Sequence, residues 1–238
     1  MRIGLLECDH VRERHLPIAG DYADMFEAMV GEADPAAEVV PYDAHNGVLP
    51  ERPEECDGWI LTGSSASVYD DEPWIEALTA FVQAVHEARV PCVGICFGHQ
   101  LLAHALGGRT ERAATGWGVG ARPMTVACSA PWMDPVLPVV TLLYSHQDQV
   151  VALPTQGRVL GSAQHCPIAM LAIGDDAIGI QAHPEFGTAY LRALLEERVD
   201  PIGVSETATA LATLRQPTDE RATARWILAF LHLRVAHS

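Results

Sequence analysis

Val93-Gly94-Ile95-Cys96-Phe97-Gly98-His99-Gln100 joins an apolar, β-like run, Pro91 to Ile95, to a run of good helix formers, Gly98 to Leu106, and sets a cysteine at the junction. A glycine two residues away on each side of Cys96 leaves room for a sharp strand-to-helix turn that holds the central side chain outward. At the start of a helix, the partial positive charge of the unpaired N–H groups favours thiolate over thiol. The same letters also describe an inert buried cysteine ahead of a Gly-started helix. A second feature is needed before the stretch carries chemistry.

Upstream of this junction, short β-rich runs alternate with helical patterns. Strands are expected at Arg2 to Glu7, Glu38 to Tyr42 and Gly58 to Leu61. Helices are expected from about Gly20 to Val30, with Tyr22, Met25, Phe26 and Met29 as an apolar stripe, and from Pro73 to Ala88. That alternation is the signature of βαβ units in a parallel sheet. Downstream, Val119 to Ala127, Val139 to Tyr144, Arg158 to Ala163, Ile168 to Ile173 and Ala177 to Ala182 are separated by Pro, Gly and Asp. Few of these connections are long enough for a helical crossover, so antiparallel pairing is expected there. Two helices, Ala189 to Arg198 and Thr218 to Ala236, close the chain, with the polar stretch between them read as a surface connection. The expectation is an α/β fold with a mainly parallel central sheet flanked by helices, some antiparallel strands in the second half, and a single domain over residues 1–238.

The bulk composition narrows the function classes. A formal charge of −16 over 238 residues repels phosphate backbones and anionic lipid, so neither nucleic acid nor a membrane is an expected partner. The apolar start of MRIGLLECDH is too short for a signal-peptide core, and a cytoplasmic location is expected. The 6 cysteines contain no C-x-x-C pair, and His99 and His104 do not have the i, i+4 spacing of a helical metal pair. No metal and no cofactor are expected.

The second feature is Ile180-Gln181-Ala182-His183-Pro184-Glu185-Phe186. In extended backbone, residues i and i+2 face the same side, so His183 and Glu185 can lie together with Pro184 stiffening the link. A carboxylate beside an imidazole selects its tautomer and stabilises the imidazolium, the orienting role in a nucleophile, base and carboxylate triad.

Together, GICFGHQ and QAHPEF resemble the class I glutamine amidotransferases, the Cys-His-Glu group that includes the amidotransferase part of GMP synthetase. Thr62-Gly63-Ser64-Ser65 is similar to the family's glycine loop, with Ser64 where many members have a second glycine. Tyr144-Ser145-His146-Gln147-Asp148 and Ala163-Gln164-His165-Cys166-Pro167-Ile168 fall where the family has its S-H-x-D and S-x-x-x-P segments, and Gly20-Asp21-Tyr22 is a looser echo. The resemblance implies a flavodoxin-like amidotransferase fold and a small-molecule substrate, glutamine or a γ-glutamyl compound. It implies Cys96 as nucleophile, His183 as acid and base, Glu185 as orienter, and the Gly63 and Phe97 N–H groups as oxyanion donors. Gln100, Ser145 and His146 are implied on the substrate side.

No ATP-binding glycine loop accompanies these motifs. The expected activity is therefore that of a stand-alone amidotransferase, with a separate synthetase subunit as a possible ammonia acceptor. Alternatives are a γ-glutamyl peptide hydrolase acting without such a partner, a non-catalytic module on the same scaffold, or another cysteine hydrolase such as an esterase using the same elbow.

Overall fold

The computed structural model describes residues 1–235, with side chains described through His232. The strands are β1 (Arg2–Leu6), β2 (Glu38–Tyr42), β3 (Gly58–Leu61), β4 (Cys92–Ile95), β5 (Arg109–Arg112), β6 (Gly118–Val126), β7 (Val139–His146), β8 (Asp148–Ala152), β9 (Gly157–Ala163), β10 (Cys166–Ile173) and β11 (Ala177–Ile180). The helices are α1 (Leu16–Ala19), α2 (Tyr22–Ala33), α3 (Pro73–Glu87), α4 (Phe97–Ala105), α5 (Thr188–Glu197), α6 (Val199–Ile202), α7 (Val204–Thr213) and α8 (Glu220–Val235). The sequence-based end of the last helix, Ala236, lies outside the described residues.

One nine-stranded sheet runs in the order β2-β1-β3-β4-β11-β10-β9-β6-β7. Its first five strands are mutually parallel, and the rest pair antiparallel, as the two grains of the sequence imply. Every residue of β3, β4 and β11 is buried, the pattern of parallel strands covered on both faces. Alternate side chains feed separate cores. Ile3, Leu5, Ile60, Val93 and Ile95 pack with Phe26 of α2 and Trp226 and Leu231 of α8. Leu6, Trp59, Leu61 and Cys92 pack with Leu78 and Val82 of α3 and Leu101 of α4.

The stretch read as a surface connection is instead the helices α6 and α7. Helix α7 buries Thr207 and Ala210, and Leu214 follows just beyond its end; Thr213 Oγ1 accepts a 2.8 Å hydrogen bond from the Ala121 N–H of β6. Small Ala and Thr side chains allow this close approach, and they carry too little hydrophobicity to announce a helix stripe. Strands β5 and β8, also unexpected, form a separate two-stranded antiparallel sheet.

The parallel pairing positions the site. Leu61 is in register with Gly94, and Ile95 with Ile180, so the segments leaving β3, β4 and β11 emerge side by side at one sheet edge. The crevice beyond the carboxyl ends of such strands is where α/β folds place ligands.

Candidate active site

Cys96 stands between β4 and α4 with φ 51° and ψ −100°, a conformation that costs a non-glycine residue strain and persists where its surroundings over-determine it. Its N–H donates to the Ile180 carbonyl at 2.9 Å, and its carbonyl accepts from Gln100 N at 3.1 Å. The flanking glycines are demanded by packing. A Cβ on Gly94 would sit 2.3 Å from the backbone of Gly98, and one on Gly98 would sit 2.6 Å from the Leu61 Cβ. The elbow read from the sequence is therefore a close three-way contact of β3, β4 and α4.

His183 follows β11 and is pinned to β7 by a 2.8 Å hydrogen bond from its N–H to the Leu143 carbonyl. Its Nδ1 lies 2.7 Å from Glu185 Oε1, across the Pro184 link, and the Glu185 side chain is fully buried. Phe186 stacks on the imidazole at a centroid distance of 3.9 Å and an interplanar angle of 7°. Ring orientation is thus held by a carboxylate on one edge and an aromatic face. Burial works against the imidazolium, but the Cys96 sulfur and the Glu185 carboxylate outweigh it, so the His183 pKa is raised.

Gly63 lies against both groups. A Cβ there would be 2.9 Å from His183 Cε1 and 3.6 Å from Cys96 Cβ. Its own N–H makes no hydrogen bond to the described residues, although the residue is buried. Phe97, the first residue of α4, has an N–H with no intrahelical acceptor by construction. Unpaired buried donors beside a thiol are suited to receiving charge that develops on a carbonyl oxygen.

A cavity of about 290 Å³ opens at Cys96, and Gln100, Ser145 and His146 line it with Trp117, Asp148 and Arg198. Of the sequence-expected residues, Cys96, Gln100, Ser145 and His146 line this cavity, whereas His183, Glu185, Gly63 and Phe97 do not, and the side chains of the lining residues are differently employed. Gln100 Nε2 donates to the Asp148 carbonyl at 2.8 Å and to Gln181 Oε1 at 3.2 Å. Ser145 Oγ accepts from Arg198 Nη1 at 3.1 Å. His146 Nδ1 bonds the Asp148 carbonyl at 3.1 Å rather than its carboxylate, and burial lowers its pKa to about 3, so the ring is neutral near pH 7. Burial likewise holds His99 at about 4.

Two residues escaped the sequence reading. Gln181 is fully buried and points its Nε2 at Cys96 Sγ, 3.6 Å away. A polar residue closing the apolar run Ile178-Gly179-Ile180, two positions before His183, was the available signal. Arg198 had none, because nothing local ties the end of α5 to the elbow.

A larger cavity, about 730 Å³, lies on the far side of the Pro184–Gly187 turn between α2 and α8, and Cys96 does not line it. Among the described residues, Glu7, His10 and Asp21 offer ligand atoms within 4.8 Å of one another for a cation. Both ring nitrogens of His10 are already engaged, by Asp21 at 2.8 Å and Asp43 at 3.1 Å.

The fold is that of the class I glutamine amidotransferases. The sequence model of Glutamine amidotransferase class-I matches residues 21–198, and the chain belongs to that family. Its relatives include gamma-glutamyl peptidase 3 of Arabidopsis thaliana, 30% identical over 77% of this chain and 74% of that protein. The glutamine-hydrolysing GMP synthase of Thermomicrobium roseum is 34% identical over 86% of this chain but only 38% of its own length. A solved glutamine amidotransferase from Thermotoga maritima superposes with a TM-score of 0.76 at 21% identity, covering 100% of this chain and 98% of the other, a likeness of fold. Among the described residues, no helix is long and apolar enough to cross a membrane.

Proposed function

We propose that the chain is a cysteine-dependent amidohydrolase that cleaves the γ-amide bond of glutamine or of a γ-glutamyl compound through a γ-glutamyl thioester. The Cys96 thiolate attacks the γ-carbonyl carbon, and the carbonyl π pair moves to oxygen, facing the Gly63 and Phe97 N–H groups. As the oxyanion collapses, the C–N bond breaks with its pair going to nitrogen, which takes a proton from the His183 imidazolium. Neutral His183 then accepts a proton from water as the water oxygen attacks the thioester. The C–S bond breaks, sulfur leaves as thiolate, and glutamate is released. Glu185 keeps the ring aligned throughout.

The observation that carries this reading is the strained Cys96 beside the His183–Glu185 pair, with an unpaired buried N–H at Gly63. The reading extends to a γ-glutamyl hydrolase that acts without a partner, supported by the gamma-glutamyl peptidases, rather than the GMP synthases, among the relatives. Delivery of ammonia to a separate synthetase is the second reading, favoured by those same synthase relatives. A cytoplasmic location is supported by 5 buried and 1 exposed free cysteine, a thiol usage suited to a reducing compartment.

Purified protein assayed for glutamate release from glutamine and from γ-glutamylglycine tests the proposal. The expected result is turnover of the dipeptide without any partner, and a loss of at least about 10³-fold on Cys96→Ala. Activity that survives in Cys96→Ala would overturn the mechanism, and ammonia release only with an added synthetase would favour the second reading.

A further inference from the structure

Where the chain leaves β1, it is bonded to the glycine loop on both sides of Gly63. Thr62 Oγ1 accepts from the Cys8 N–H at 2.9 Å and donates to the Gly63 carbonyl at 3.0 Å. Two residues past Gly63, Ser65 donates twice to one oxygen of Asp9, from its N–H at 2.8 Å and from its hydroxyl at 2.7 Å. The partners are 56 positions apart, so the contact is tertiary and not a local turn. Ser65 is exposed, and water could satisfy both of its donors. Such bonds therefore add only modest net stability, and their main consequence is geometric.

Asp9 is itself held. Its Oδ1 accepts from the His10 N–H at 2.8 Å, and the His10 ring is bracketed by Asp21 at 2.8 Å and Asp43 at 3.1 Å. Asp21 also accepts from the Val11 N–H at 2.8 Å and from the Tyr22 N–H that opens α2. The acidic cluster around His10 thus forms a braced post from which Asp9 reaches the glycine loop. What the loop carries is the peptide between Thr62 and Gly63. Its carbonyl accepts from the Gly98 N–H at 3.2 Å, and in a planar trans peptide the N–H points the opposite way. The Gly63 N–H keeps its direction only while that plane does not flip. Glycine sets little backbone preference of its own, so the resistance has to come from the anchored chain on either side. Asp9 does not line the Cys96 cavity, whereas Ser64 and Ser65 do.

We propose that Asp9 is a positioning residue: by anchoring Ser65 it keeps the Gly63 N–H aimed at the oxyanion that develops during attack by Cys96. This rests on the γ-amide-cleaving reading above, in which that oxyanion forms. A donor held in place before the reaction contributes mainly as charge develops on the carbonyl oxygen, so the anchor acts on kcat and not on substrate binding.

The test uses the full chain, with L-γ-glutamyl-p-nitroanilide for turnover and iodoacetamide as a probe of the sulfur alone, since displacement of iodide at a saturated carbon forms no oxyanion. Removing an oxyanion donor outright costs about 10²- to 10³-fold in kcat, so a donor present but unanchored in Asp9→Ala is expected to cost about 10- to 100-fold. KM is expected to stay within about twofold, and the rate of Cys96 alkylation to match that of the wild type. Asp9→Asn, whose amide oxygen still accepts from Ser65, is expected to recover part of the loss. Ser65→Ala keeps the N–H bond and is expected to lose less than Asp9→Ala. Once Asp9 is gone the hydroxyl has no partner to lose, so adding Ser65→Ala to Asp9→Ala should lower kcat no further. Ser65→Ala alters one exposed side chain, and supplies the same kcat and alkylation readouts where Asp9→Ala fails to fold. Equal losses in turnover and alkylation would overturn the anchor by placing the effect on the elbow. A loss carried by KM, or a kcat unchanged in both single variants, would overturn it as well. Wild-type protein that releases glutamate from neither glutamine nor any γ-glutamyl compound refutes the underlying reading, a result seen before any variant is made.

Discussion

The charge state of His183 is set by its neighbours. Both the sulfur of Cys96 and the carboxylate of Glu185 favour the imidazolium strongly enough to overcome burial, so the proton needed by a departing amine is present across neutral pH. The sign follows directly: a raised pKa keeps the acid form, and on the alkaline side activity falls as pH climbs through that raised value. Glu185→Gln removes one source of the shift, and is expected to move the alkaline limb of the kcat/KM profile downward while cutting the rate by about 10²- to 10⁴-fold. An alkaline limb left in place would show that Glu185 does not tune the ring. Gln181 acts on the other partner. In the proposed reaction its amide steadies the sulfur both as nucleophile and as leaving group, so Gln181→Leu is expected to reduce kcat by about tenfold and to slow alkylation of Cys96 by iodoacetamide, with little change in KM. An unchanged alkylation rate would remove Gln181 from that role.

At the scale of the element, the elbow is a packing problem solved by absent side chains. Gly98→Ala forces a methyl against Leu61, and a loss of about 1–3 kcal/mol is expected in urea unfolding. Gly94→Ala meets only backbone, and more closely, at 2.3 Å, and should cost more. Gly31 in α2 is the control: a Cβ there meets nothing within 4 Å, so Gly31→Ala is expected to stabilise by about 0.5–1 kcal/mol. If all three alanine variants behaved alike, close packing would not be what the elbow glycines serve. The strands of the first half were legible because β-branched runs between helical patterns have few other readings, and β2 and β3 match their expected limits. Helix α7 was not legible, since Thr207, Ala210 and Leu214 form a stripe too weakly apolar to separate from a polar loop. Strands β5 and β8 escaped for a related reason: four or five residues of mixed polarity gain their structure from pairing with each other.

For the whole molecule, a net charge of −16 repels itself in the compact state. Raising sodium chloride from about 10 to about 200 mM shortens the screening length several-fold, and the melting temperature measured by calorimetry is expected to rise. A fall would mean that attractive pairs, such as those converging on Glu197, outweigh the net repulsion. The alternation of strand and helix, the elbow around Cys96 and the pairing of His183 with Glu185 were all legible along the chain, because each depends on residues a few positions apart. Long-range packing was needed to put Gln181 against the sulfur, to tie Gln100 to Gln181 and Asp148, and to bring Arg198 to the cavity from the end of α5. Those contacts join residues distant along the chain, and they exist because parallel pairing of β3, β4 and β11 carries their ends to one edge of the sheet.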